Sequence, residues 1–250
     1  DKKTGNYLYD SWVLLNDDIE KKISTFEKML DTDDFENNSE GIPSLLNSAS
    51  IDLIADSVFE FFEKNSASDN MPPFVSKDLR VLVSLCSLRG IPFELNFENL
   101  SSANFPHTPA HRMNEHMIIA HFKLGYKESA DKDVYLKFDP FDKDSRNLLK
   151  LCTKATGAFP LGLKARNFKG LLSKEYIKKA ILRNLEIQNT NIIDIKLSEN
   201  HFDFTCIDGG TINNEPYSEV VQVLESKRAE EDPEKPMSGV IMVDPFPNFY

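Results

Sequence analysis

The residues best placed to do chemistry lie in one run, FTCIDGGTINNEPYSEVV, at positions 204–221. The alternation in HFDFTCID predicts a buried strand over 201–208 that stops at Asp208-Gly209-Gly210. A carboxylate at the C-terminal end of such a strand lies where open α/β sheets form their ligand crevices. The two glycines allow positive φ and close backbone approach. Asn213 and Asn214 follow, and Pro216 suits the first turn of a helix reaching Leu224. By itself, Asp-Gly-Gly is ordinarily a turn.

Other chemical motifs fail on spacing. No two of the ten glycines are four apart, so the serine elbow G-x-S-x-G is absent from the chain. No two are two apart, which removes G-x-G-x-x-G. Gly157 and Gly162 have phosphate-loop spacing, but Leu163 stands where the lysine belongs and Pro160 interrupts the loop. His111, His116 and His121 recur every five residues, which turns neighbours to opposite faces of a strand and well apart on a helix. That spacing does not converge on one ion, so no metal site is expected.

The elements that must position Asp208 alternate between strand and helix. Helical spacing appears in 17–30 (Ile19, Ile23, Phe26, Leu30), after Ser50 (Ile51, Ile54, Val58, Phe61, Phe62), over 145–154, and from Ser173 to Leu185. The phenylalanines of the second helix, Phe59 included, are expected to pack in the core. Segments 79–88, 91–97, 116–125 and 133–139 read as strands, and 239–244 as a last short one. Acidic 31–41, polar 65–73 and charged 226–238 read as loops. The continuous apolar run LRVLVSLCSL suits a strand buried on both faces. The expected class is therefore α/β, with a mixed, largely parallel sheet flanked by helices, in a single domain over 1–250.

Composition limits the partners. The chain has 250 residues, 40 acids against 29 bases and a net charge of −11, which argues against a nucleic-acid binder. No apolar run reaches the length of a transmembrane helix. Cys86, Cys152 and Cys206 are an odd set in apolar surroundings and read as reduced thiols, favouring a reducing, cytoplasmic compartment. The chain begins at Asp1 without Met and without a signal-peptide core, which reads as trimming.

The string Asp208-Gly209-Gly210 with Asn213-Asn214-x-Pro216 resembles the catalytic-aspartate loop of patatin-like phospholipases. Upstream, Ala155-Thr156-Gly157-Ala158-Phe159-Pro160 resembles the family's A-S/T-x-A-x-P segment, which lines the acyl site. Leu88-Arg89-Gly90-Ile91-Pro92 and the stretch from Gly239 to Asp244 also resemble bacterial members. These islands occur in the family's order over 45–247. The resemblance implies a lipid acyl-ester hydrolase with a Ser–Asp dyad and no cofactor. Asp208 would be the catalytic base, with Thr156, Gly157, Ala158, Phe159, Pro160, Gly209 and Gly210 binding substrate.

The family's G-x-S-x-G elbow and its D-G-G-G-x-R-G oxyanion loop are both missing here. The resemblance therefore implies the C-terminal portion of a patatin-like domain, incomplete on its N-terminal side and inactive alone. Self-association through an uncovered sheet edge would follow. Its partners would be a lipid or other acyl ester, met by peripheral membrane contact through apolar side chains. The alternative is a non-catalytic lipid- or partner-binding module on the same fold.

Overall fold

The computed structural model describes residues 25–36, 43–65, 73–95, 111–139, 141–186, 193–195, 202–230 and 239–243. The chain divides into two compact units, 1–212 and 213–250. In the first, helices α1 (Thr25–Met29), α2 (Asp33–Glu36) and α3 (Ala49–Asn65) precede strands β1 (Arg80–Leu95) and β2 (His111–Lys123). Then come α4 (Glu128–Asp131), β3 (Leu136–Lys137), α5 (Lys143–Thr156), β4 (Arg166–Phe168) and α6 (Lys174–Asn184). Strands β5 (Ile193–Asp194) and β6 (Phe204–Asp208) and a 3-10 turn (Gly209–Thr211) complete it. The described part of the second unit is α7 (Tyr217–Glu230) with its flanks, Asn213–Pro216 and the separate stretch 239–243.

The molecule is α/β with a mixed sheet in the order β3-β2-β1-β6-β4, and β5 also pairs with β1. Among the described residues the pairs β1–β2, β1–β5, β1–β6 and β4–β6 are antiparallel, and only β2–β3 is parallel. The expectation of a largely parallel sheet is corrected accordingly. Its basis is the alternation of strand and helix signals, which does not fix strand direction: β2, β5 and β6 all pair with β1 antiparallel.

Val81, Val83 and Leu85 stand opposite Phe122, Ala120 and Ile118, which puts all six side chains on one face. That face forms the core with Cys152 and Ala155 of α5 and Tyr176, Ile177, Ala180 and Ile181 of α6. Helix α5 is capped by Asp142, whose side chain accepts from the Asp144 amide, and α6 by Ser173, which accepts from the Tyr176 amide.

Segments 79–88 and 91–97, read as separate strands, belong to one long strand as far as Leu95, folded around a bulge. The register slips between Cys86 and Ile91. Gly90 takes φ +69°, and a Cβ there would lie 2.8 Å from Asn114 Cβ and 2.9 Å from His116 Nε2. His116 Nδ1 donates to the Ser87 carbonyl at 2.7 Å, which closes the bulge. Beyond β3, the edge of β2 is covered by side chains from α6. The Tyr176 hydroxyl accepts from the His121 amide at 3.0 Å and donates to the Ile119 carbonyl at 3.1 Å, and Asn184 donates to the Met117 carbonyl at 2.9 Å. The end strands β3 and β4 are only two and three residues long.

Several boundaries differ from expectation. The 133–139 segment contributes only Leu136–Lys137 as strand. Residues 239–243 are exposed and form no strand. Helix α7 runs on to Glu230, past Leu224, because its charged continuation still has good helix formers. A short helix interrupts the acidic 31–41 segment. Of the 17–30 helix, residues 17–24 lie outside the described residues, as do 66–72, 96–97, 201 and 244.

On α3, Ile51, Ile54, Val58, Phe59 and Phe61 are half-buried rather than fully enclosed. Ion pairs supplement this packing: Asp52 to Lys154 and Arg166, Asp56 to Lys150 and Lys154, and Glu63 to Arg146. Among the described residues no helix is long and apolar enough to cross a membrane.

Asp131 is the buried carboxylate of the β2–α4 corner. It accepts from Lys123 Nζ and from the Lys127 amide, each at 2.7 Å. Burial alone would raise its pKa. The Lys123 and Lys127 hydrogen bonds, with the charges of Lys123 and Arg80, outweigh that and hold it below the usual carboxylate range. Its stabilising contribution is present above the unfolded value of about 4 and is lost as pH falls through the lower folded value. Asp131→Asn should cost about 3 kcal/mol near neutral pH, because the Lys123 ammonium loses its buried partner. Urea melts from pH 7 down to pH 3 should show the gap between variant and parent closing on the acid side. A constant gap would contradict this assignment.

Candidate functional site around Asp208

Asp208 ends β6 directly opposite Leu85 of β1, with Ile207 opposite Cys86. Its amide donates to the Ala158 carbonyl at 2.9 Å. Its Oδ1 accepts from the Gly210 amide at 2.8 Å, forming the side-chain cap of the 3-10 turn that follows. Ile212 then donates its amide to the Gly209 carbonyl and closes the turn. Asp208 is half-buried.

Gly209 is buried, and a Cβ there would run into the Ser84 carbonyl of β1. The glycine is therefore required for close approach. Positive φ occurs at Gly90, Gly125 and Gly170, and neither Gly209 nor Gly210 uses it. The expectation that these two glycines serve left-handed backbone is corrected on that point. Steric room decides the residue type at position 209.

The second motif segment meets the first. Helix α5 ends at Thr156, and Gly157 caps it by donating its amide to the Ala155 carbonyl. Ala158 is buried and holds the Asp208 amide. Thr156 and Pro160 are half-buried, while Gly157 and Phe159 face solvent. Gly162 lies under the Phe159 ring, where a Cβ would come within 3.0 Å of Phe159 Cδ1. Ala158, Asp208 and Gly209 are thus brought together against β1 at Ser84 and Leu85. Asn213 belongs to the second unit, where its side-chain amide donates to Glu219 Oε1 at 2.9 Å.

Sequence reasoning did not point to the β1 residues beside the turn. Ser84 presses its carbonyl on Gly209. Ser87 is fully buried opposite Cys206, and its hydroxyl has no hydrogen-bond partner. The Cys86 thiol is pushed up by burial first and by the Asp208 charge second. Only the strand pairing places these groups, since more than 120 residues separate Ser84 from Asp208. The three cysteines are buried and unpaired, and burial raises the Cys152 thiol to about 12. All three are inert as nucleophiles in the folded state.

The histidines have separate occupations: His116 at the bulge, and His121 against the Tyr135 ring with Arg183 at 2.9 Å. Among the described residues no group of three His, Cys, Asp or Glu could hold a metal ion. A surface hollow of about 590 Å³, lined by Phe93, Glu94, Arg112 and Met113, lies along the far end of the β1–β2 pair and takes none of the site residues. No family model matches the chain, and no curated protein or solved structure matches it either.

Proposed function

We propose that this chain is the aspartate-bearing part of an acyl-ester hydrolase that works with a Ser–Asp dyad on lipid substrates. One observation supports the reading most directly. The two motif segments, fifty residues apart in sequence, meet through the hydrogen bond from the Asp208 amide to the Ala158 carbonyl. In such a dyad the carboxylate accepts the serine proton directly, so it must be rigidly held and partly withdrawn from water. Asp208 has both qualities, being fixed by β1 on one side and by Ala158 on the other.

The serine is carried by a segment outside residues 1–250 and brings its own oxyanion donors. The chain alone should therefore give no covalent label with a fluorophosphonate probe and no ester turnover above background. A chain extended to include a G-x-S-x-G elbow should label at that serine. Labelling of any serine within 1–250 would overturn the dyad assignment.

The absence of a G-x-S-x-G elbow from residues 1–250 suits a second reading equally, a non-catalytic lipid- or partner-binding module that uses the same surface. An extended chain that binds lipid but never labels would select it.

A further inference from the structure

Helix α5 is basic in an acidic chain, and α3 covers its basic side. Residues 143–156 carry Lys143, Arg146, Lys150 and Lys154 against one acid, Asp144. Arg146, Lys150 and Lys154 stand four apart, so they form one row along the helix. Three acids of α3 meet that row in reverse order: Asp52 at Lys154, Asp56 at Lys154 and Lys150, and Glu63 at Arg146. The two helices are therefore antiparallel. Arg166 of β4 extends the row, with Nη1 at 2.9 Å from Asp52 Oδ1.

The bases lie deeper than the acids. Arg146 and Lys154 have side chains 14 % and 13 % exposed, against 43 % for Asp56 and 59 % for Glu63. The row thus belongs to the body of the fold, and α3 lies over it on a weak hold. Its Ile51, Ile54 and Val58 are only half-buried, Leu53 is exposed, and ion pairs with partners this exposed contribute little each. Arg166 is buried, and its Nε has no hydrogen-bond partner among the described residues. Helix α3 therefore leaves a buried guanidinium donor unused, which is unfavourable.

We propose that Arg146, Lys150, Lys154 and Arg166 form a docking groove for an acidic amphipathic helix of a partner protein, and that α3 is an internal mimic which that helix displaces. The seated α3 shows the chemistry that fits, with carboxylates four and seven residues apart meeting the row. The unused Arg166 Nε shows how a partner improves on it. A glutamate in place of Asp52 reaches one methylene further and can engage the guanidinium through Nε as well. The acids at the start of α5 do not compete. Asp142 caps the helix and binds Lys137, and Asp144 lies two residues from Arg146, on another side of the helix. Displacement asks only α3 to swing, because the residues before it stay bonded to 161–164 through Leu45, Leu46 and Ser48.

The test uses the full chain and a fluorescent peptide copying residues 46–65. Asp56→Lys makes α3 repel Lys150 and Lys154 and so frees the groove. By anisotropy the peptide should bind this variant at least about tenfold tighter than the parent, whose own α3 competes from within the chain. Adding Arg146→Glu should remove that gain, and an Asp52→Glu peptide should bind about threefold tighter than the copy. In the parent, hydrogen exchange should show the α3 amides opening at least about tenfold more readily than those of α6, and faster still in about 0.5 M salt. That measurement decides the matter if Asp56→Lys fails to fold. A folded Asp56→Lys chain that binds no better than the parent, an Asp52→Glu peptide that gains nothing, or α3 amides as protected as those of α6 would overturn the proposal. So would a parent dimer that the peptide dissociates, because α3 of a second copy would then be the occupant.

Discussion

Gly209→Val should destabilise the protein by about 3 kcal/mol or more, the upper end of what overpacking costs. The reason is local and backbone-bound. A Cβ at 209 enters the space of the Ser84 carbonyl, and a strand carbonyl cannot swing aside as a side chain could. Relief requires β6 to separate from β1 where Leu85 faces Asp208, and that pair holds the sheet's central joint. For a unit of this size the loss corresponds to a fall of roughly 6–12 °C in melting temperature. Gly157→Ala is the matched control. A Cβ there meets only the Thr153 carbonyl at 3.8 Å, an ordinary contact, so melting should barely move. Thermal unfolding of both variants checks the claim, and equal effects would show that close packing against Ser84 is unimportant.

Much of this arrangement could be read from residue order, and the limits have physical causes. Helices α5 and α6 were legible because their apolar residues repeat at helical spacing behind Asp142 and Ser173, which cap them as side-chain acceptors. Strand β6 was legible because Phe204, Cys206 and Asp208 alternate with Thr205 and Ile207 before two glycines. Strand direction was not legible. Val81, Val83 and Leu85 are apolar because their face packs on the core, and a buried face leaves no mark of strand direction along the chain. Nor could spacing reveal that Ser84 stands against Gly209, since that contact depends on a register set by β1 and β6 together. The role of Gly209 was half legible. A glycine after the strand signals constraint, but only the structure distinguishes close approach from positive φ.

The most direct test of the proposed dyad is the turnover number of Asp208→Asn in a chain extended to supply a G-x-S-x-G serine. Asparagine keeps the size and an oxygen that can accept from the Gly210 amide, so the 3-10 turn and the fold should survive with stability within about 0.5 kcal/mol of the parent. What disappears is the basicity. General-base assistance contributes about 10²–10⁴-fold, so kcat on a lipid ester should fall by that factor while KM changes little. A melting curve run alongside separates loss of chemistry from loss of fold. A folded variant slowed by two to four orders of magnitude is the predicted result. A folded variant with near-parental kcat would contradict it and reduce Asp208-Gly209-Gly210 to a turn.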